Sequence, residues 1–75
     1  MIYKYKDKIV DTPLAKELYG KLMKITNDDE YYTLCIIAEL HNDKHIQKMI
    51  DILDLGETNT NNISLNALDI YNGRI

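Results

Sequence analysis

The chain has little of what usually stabilises a very small protein or indicates its chemistry. Its 75 residues include one cysteine, one proline and three glycines, and no tryptophan or phenylalanine. A single cysteine cannot form a disulfide within the chain, and no group of cysteines and histidines has zinc-finger spacing. The three scattered glycines form no phosphate-binding loop, and no Walker, dinucleotide-binding or nucleophile-elbow motif is present. These absences argue against an enzyme.

Targeting and membrane signals are also missing. The first eight residues are polar and alternating, unlike the apolar centre of a signal peptide. The longest apolar stretch is far shorter than the roughly 20 residues that a membrane-spanning helix needs. We therefore expect a cytoplasmic protein with no membrane contact, in the host bacterial cytoplasm if a phage encodes it, with Cys35 reduced.

The N-terminus, residues 1–10, alternates in the way that a strand does. Tyr3 and Tyr5 share one face at a period of two, and β-branched residues follow. We predict a short β-hairpin that turns at Lys6-Asp7. An isolated two-stranded ribbon is barely stable, so the hairpin must lie on the rest of the domain.

Helical periodicity covers most of the remaining chain. We predict helices over 13–24, 28–41 and 44–55, a polar loop over 57–62 and a short helix over 64–71. A strand through Ile63 that turns at Asn72-Gly73 is the alternative for the last segment. Gly20, inside the first helix, favours a close approach by a neighbouring element. The expected fold class is mostly α (α+β): one domain with an N-terminal hairpin, a compact three-helix bundle and a short C-terminal helix.

The segment from Tyr31 to Leu40, inside the predicted helix 28–41, is apolar on nearly every side. A helix at the surface of a small protein needs only one apolar stripe. A helix that is apolar all round must be wrapped by its own chain or share its surplus with a partner, and a chain this short has little to wrap with. We therefore expect a homo-oligomer, in its simplest form a homodimer, or a complex with another protein.

Tyrosines and acidic residues are the candidates for such an interface. Tyrosine suits interfaces because it combines a large ring with a hydroxyl, and adjacent tyrosines on a helix point about 100° apart, so both do not fit one small core. Residues 26–75 carry nine acidic and three basic residues. Some of these acids are equally explained by their place in a first helical turn. The predicted interaction residues are Tyr31, Tyr32, Asp28, Asp29, Glu30, Asp51 and Asp54.

Two features that could carry chemistry have simpler explanations. His41 and His45 are four residues apart, a spacing that suits a divalent metal on one continuous helix, but Asn42-Asp43 is expected to end that helix. Cys35 lies in the most apolar stretch, where cysteine usually behaves as a small buried hydrophobe. We predict no catalytic residue, no metal ligand and no cofactor.

Nucleic-acid binding is weighed because residues 1–25 carry six lysines and only three acids. Cations and aromatic rings on one ribbon could contact phosphates and stack on bases. The possible polyanion contacts are Lys4, Lys6, Lys8, Tyr3 and Tyr5. Against this, the net charge is −3, and the predicted helix 44–55 with its flanking Asp43 carries three aspartates and two lysines. A nucleic-acid-binding regulator is therefore kept as a second alternative.

The abundance of isoleucine, lysine, asparagine and tyrosine is typical of AT-rich genes in low-GC bacteria and their phages. We predict a non-enzymatic protein-interaction module, a phage or mobile-element accessory protein that inhibits a host factor, of the anti-CRISPR or another counter-defence type. Its acidic residues would occupy a nucleic-acid groove on the target. The first alternative is a small-molecule or nucleotide-signal binder, a sponge, whose pocket lies at an oligomer interface and is lined by Tyr31, Tyr32 and basic residues of the first helix.

Overall fold

The computed structural model describes residues 2–56 and 62–74, and in this part of the chain all regular structure is helical. A 3₁₀ turn over Ile2–Tyr5 leads into five helices: α1 (Lys6–Ile9), α2 (Pro13–Ile25), α3 (Glu30–Leu40), α4 (Asp43–Asp54) and α5 (Ile63–Tyr71). The helical bundle agrees with the prediction, and the C-terminal segment adopts the helix rather than the strand. Residues 57–61 of the predicted polar loop lie outside the described residues.

The predicted N-terminal β-hairpin is wrong. Residues 2–9 form the 3₁₀ turn and α1, and no residue of the described ranges is in a strand. The helical form puts Ile9 and Val10 against the core, and it brings Lys6 Nζ within 2.9 Å of Glu30 Oε2. A lone ribbon with a Lys-Asp turn would have no strand to pair with, whereas a helix satisfies its backbone hydrogen bonds locally.

Side-chain caps set the starts of three helices. Thr12 Oγ1 accepts a hydrogen bond from the Ala15 amide ahead of Pro13, and the side chains of Asp29 and Asn42 do the same for α3 and α4. The cap of α3 is Asp29, and the helix begins at Glu30, two residues later than predicted. Asparagine and aspartate suit the N-cap position because their short side chains accept hydrogen bonds from nearby backbone amides.

Two contacts define the orientation of the bundle. Thr12 Oγ1 donates to Asp43 Oδ1 at 3.0 Å, which joins the N-terminal ends of α2 and α4. Lys21 Nζ lies 2.8 Å from Asp54 Oδ1, which joins the same two helices near their C-terminal ends. Helices α2 and α4 are therefore parallel, and α3, which packs against both after a short turn, runs antiparallel to them.

The apolar central helix is wrapped by its own chain. Helix α3 packs against the 3₁₀ turn, α1, α2, α4 and α5, and its apolar residues Leu34, Ile36, Ile37 and Leu40 are buried. The side chains that α3 leaves exposed are Tyr31, Ala38 and Glu39. The surplus apolar surface that favoured a homodimer through this helix is thus covered within one chain.

Gly20 contradicts the expected close approach. An added Cβ at Gly20 would meet open space, and the residue is exposed. The helix continues through it because the flanking Leu18 and Leu22 are fully buried. Tertiary packing therefore offsets the roughly 1 kcal/mol that glycine costs inside a helix relative to alanine.

Candidate functional site

Four acidic residues that are distant in sequence share one end of the bundle. Asp28 and Asp29 lie in the turn between α2 and α3, and Asp51 and Asp54 lie in the last turn of α4. Because α2 and α4 are parallel, their C-terminal ends and the start of α3 meet at this end. We call these four residues the acidic end.

The α2–α3 turn displays its carboxylates in an unusual backbone conformation. Asn27 and Asp28 both have positive φ, 59° and 68°, which asparagine and aspartate tolerate better than most residues. Buried beneath them, Thr26 Oγ1 donates to the Leu22 carbonyl at 2.8 Å and accepts from the Asp29 amide at 3.3 Å. The threonine therefore holds the turn so that the Asp28 and Asp29 side chains face outward, where both residues are exposed.

The four carboxylates of the acidic end are differently engaged. Asp54 forms the ion pair with Lys21, and the same hydrogen bond raises the pKa of the lysine above its ordinary value. Asp51 Oδ1 accepts a hydrogen bond from the neutral amide of Gln47, whose Nε2 lies 2.9 Å away. The Asp28 side chain forms no hydrogen bond or ion pair with another described residue. Lys24, in the last turn of α2, is an exposed cation on the same end.

The two adjacent tyrosines of α3 point in different directions. Tyr32 is half-buried against the core, whereas Tyr31 is 54% exposed. The ring of Tyr31 meets that of Tyr3 edge to face, with centroids 6.1 Å apart. This tyrosine pair sits at the N-terminal start of α3, beside the acidic end. It presents aromatic surface next to carboxylates, a combination suited to a protein interface.

Glu30 belongs to an internal cluster rather than to the acidic end. Its Oε2 accepts hydrogen bonds from the Tyr19 hydroxyl and from Lys6 Nζ, and the lysine also lies 5.0 Å from the centre of the Tyr19 ring. The hydrogen bonds from Tyr19 and Lys6 lower the pKa of the Glu30 carboxyl, and those same bonds raise the pKa of Tyr19 and of Lys6. The cluster ties α1, α2 and α3 together, so Glu30 is structural.

The predicted polyanion contacts are differently engaged. Lys6 is turned to Glu30, while Lys4 and Lys8 are exposed, and Lys8 reaches a cleft at the opposite end of the bundle. Tyr3 packs on Tyr31, and Tyr5 is exposed. Since the hairpin is absent, the row of alternating lysines and rings that motivated nucleic-acid binding is absent too.

A cleft of about 210 Å³ lies at the other end of the bundle, between α1, the N-terminal ends of α2 and α4, and the C-terminal part of α3. Its apolar lining includes Ile9, Ile37 and Ile46, and its polar lining includes Lys8 and Asp43. Ligand pockets usually span about 300–1,000 Å³. The cleft does not include Tyr31 or Tyr32, which we had placed in the pocket of a nucleotide binder.

The histidine pair and Tyr71 form a ring cluster next to this cleft. The centres of His41 and His45 are 6.3 Å apart, and Tyr71 from α5 lies 6.0 Å from the first and 6.3 Å from the second. The sequence indicated the two histidines by their spacing. Tyr71 carried no signal of its own, because its place in the cluster depends on how α5 folds back onto α3 and α4.

Several other expectations concern chemistry. Cys35 is free and half-buried, less enclosed than predicted. Within the described ranges, no group of three or more histidine, cysteine, aspartate or glutamate side chains is arranged to hold a metal ion. None of the helices found over residues 2–56 and 62–74 has the length and apolar character needed to cross a membrane.

Helix α5 leaves an apolar stripe exposed on its outer side, made of Leu65, Leu68 and Tyr71. Its inner side is buried, with Ile63, Ala67 and Ile70 in the core. The helix therefore presents a second exposed apolar surface.

Comparison with known proteins finds no matching family model, and no significantly similar curated protein or solved structure.

Proposed function

We propose that the protein is a non-enzymatic protein-interaction module whose acidic end binds a basic surface of a partner. The observation that supports this proposal is that folding gathers Asp28, Asp29, Asp51 and Asp54 at one end, beside the exposed Tyr31. Complementary charge across an interface speeds association and selects the partner. The half-exposed tyrosine ring supplies apolar area of the kind that anchors an interface.

The chemistry of the partner follows from the charge that remains uncompensated. Lys21 neutralises Asp54, and Lys24 and Lys48 are the other cations near this end, so the four acids keep a small excess of negative charge. A surface that binds a cluster of fixed carboxylates is basic, and basic grooves are typical of nucleic-acid-binding proteins. The proposed partner is therefore a host nucleic-acid-binding protein, bound in the bacterial cytoplasm by a phage or mobile-element inhibitor of the counter-defence type.

Variants in which two carboxylates are replaced by amides test whether the acidic end binds the partner. The Asp28→Asn/Asp51→Asn variant removes two carboxylates from the acidic end, and asparagine tolerates the positive φ of residue 28. The matched control is Glu17→Gln/Glu39→Gln, which changes the net charge equally at exposed positions elsewhere. Exposed ion pairs are worth about 0.2–1 kcal/mol each, so loss of two weakens binding by about 2- to 30-fold.

The assay is affinity capture from a low-GC bacterial lysate, followed by binding measurements on the captured protein. We expect the unchanged chain and the control to retain one nucleic-acid-binding protein that double-stranded DNA releases, and the Asp28→Asn/Asp51→Asn variant to retain much less. Equal capture by all three proteins, or a captured protein that DNA does not release, would contradict the proposal.

The two alternatives remain predictions with less support. The cleft is small and lies far from Tyr31 and Tyr32, so the geometry does not favour the nucleotide sponge. The nucleic-acid regulator has lost the ribbon on which its contacts were placed. A homodimer also remains a prediction, and the exposed stripe of α5 rather than α3 is the apolar surface that the fold offers for it.

A further inference from the structure

His41 and His45 lie where α3 ends and α4 begins. From the sequence alone, the end of the helix between the two residues argues against a shared site. The structure nevertheless brings the two rings to 6.3 Å, since His41 adopts a left-handed conformation with φ 48° that turns the chain directly into α4. The ring of Tyr71 lies beside both imidazoles.

Backbone carbonyls orient both imidazoles through the same ring atom. His45 Nδ1 lies 3.2 Å from the Leu40 carbonyl oxygen, and His41 Nδ1 lies 3.4 Å from the Glu39 carbonyl oxygen. A carbonyl only accepts, so a hydrogen bond to it requires the proton on Nδ1, and in that tautomer Nε2 keeps its lone pair. The Asn42 amide is also 3.4 Å from His45 Nδ1, but the carbonyl is closer. Histidines that bind metals are held in this way, with the second ring nitrogen donating to a carbonyl or carboxylate.

We propose that His41 and His45 form a two-histidine site for a borderline divalent transition metal, Cu²⁺, Ni²⁺ or Zn²⁺, bound through the two Nε2 atoms. Two imidazoles on one tetrahedral ion have ring centres roughly 5–6 Å apart, given metal–nitrogen bonds of about 2.0–2.1 Å. The observed 6.3 Å requires a small approach of the rings, which the exposed side chain of His41 can make. Imidazole nitrogen selects these ions over Mg²⁺ and Ca²⁺, which prefer oxygen ligands.

In the part of the chain that the structure describes, these two side chains are the only ligands of the site. No third histidine, cysteine or carboxylate of the described ranges joins them in a metal-binding group. The remaining coordination positions are open to water or to the same histidine pair of a second chain. The ratio of chains to metal distinguishes the two cases. One chain per ion indicates that water fills the remaining positions, and two chains per ion indicate that the metal bridges two copies.

Calorimetric titration with Zn²⁺, Ni²⁺ and Cu²⁺ tests the site, with Mg²⁺ as the negative control. We expect saturable binding that is tightest for Cu²⁺, following the usual order of stability. His41→Asn suits the left-handed backbone, and His45→Gln keeps a polar side chain. Each substitution should weaken binding by about tenfold or more, since even loss of a group that only orients a ligand costs 10- to 100-fold. Circular dichroism verifies that each variant is folded.

Two matched variants separate this site from other metal-binding groups. Cys35→Ser removes the single thiol of the chain and should leave the affinity unchanged. Tyr71→Phe keeps a ring beside the imidazoles and should remove much of the tyrosine fluorescence that bound Cu²⁺ quenches, because Tyr71 adjoins both rings. The proposal is overturned if no metal binds, if Mg²⁺ binds equally well, or if the folded His41→Asn variant keeps the original affinity.

Discussion

Replacing Thr26 by valine should destabilise the protein more than replacing Thr33, its buried neighbour. The hydroxyl of Thr26 donates its one hydrogen to the Leu22 carbonyl, so the 3.4 Å contact between the two hydroxyls must be a hydrogen bond from Thr33 to Thr26. Thr26 also accepts from the Asp29 amide. It is therefore the centre of the network that holds the α2–α3 turn and its two exposed aspartates.

The magnitudes follow from which polar groups are left without a partner. In Thr26→Val, the hydroxyl of Thr33, a fully buried residue, loses its acceptor, at a cost of about 1–3 kcal/mol. In Thr33→Val, Thr26 keeps both its bond to the Leu22 carbonyl and its bond from the Asp29 amide, so the loss should not exceed the net value of one hydrogen bond, about 0.5–1.5 kcal/mol. In the double variant, the Thr33 hydroxyl that lost its acceptor is also removed. The double variant should therefore recover much of the free energy of unfolding that Thr26→Val loses.

Urea unfolding followed by circular dichroism measures all three variants. The total free energy of unfolding expected for this length is about 4–11 kcal/mol, at roughly 0.05–0.15 kcal/mol per residue, so a loss of 1–3 kcal/mol is easily resolved. The denaturant slope should not change, because each substitution preserves side-chain shape. Equal costs for the two single variants, or a double variant equal to their sum, would refute the donor and acceptor assignment.

Three further predictions concern the helices. Gly20→Ala should raise the free energy of unfolding by about 0.5–1 kcal/mol in urea unfolding, because the new methyl enters open space. Ile37→Ala should lower it by about 2–5 kcal/mol in the same assay, since the side chain is buried within α3. The lowered pKa of Glu30, caused by Tyr19 and then Lys6, stabilises the fold above pH 4.5, and this contribution is lost as the pH falls through the folded-state pKa. Glu30→Gln should therefore flatten the acid limb of a plot of melting temperature against pH.

Each of these predictions has a clear opposing result. A less stable Gly20→Ala variant would mean that a neighbour does approach the helix. For Ile37→Ala, the matched control is Tyr31→Ala on the exposed side of the same helix, and equal losses would contradict the wrapping of α3. An acid limb that Glu30→Gln leaves unchanged would mean that other carboxylates control the acid unfolding.

Local patterns predicted the helices of the bundle well. Thr12-Pro13 marks the start of α2, and Asn42-Asp43 marks both the end of α3 and the cap of α4, because these residues satisfy the backbone groups that helix ends leave open. The prediction for the N-terminus was wrong because a contact between distant residues decides its structure. Its alternation of tyrosine and lysine resembles a strand, but Lys6 finds its partner at Glu30, 24 residues away, and a local pattern cannot contain that contact.

In the candidate sites too, the sequence indicated residues, while the fold decided which of them lie together. The sequence indicated acidic residues and tyrosines as interaction candidates, yet Glu30 is held in an internal cluster, while Asp28 and Asp51 share an exposed end. Their meeting depends on the parallel arrangement of α2 and α4. Tyr71 joins the two histidines only through the packing of α5.

The sequence by itself determined where α2–α5 lie, because capping residues and apolar periodicity act over a few residues along the chain. It also determined the acidic character of residues 26–75. Only the tertiary structure decided that the N-terminus is helical, that α3 is covered by its own chain, and which charged groups neutralise one another. These outcomes depend on contacts between residues far apart in sequence, whose free energy appears only when the helices pack.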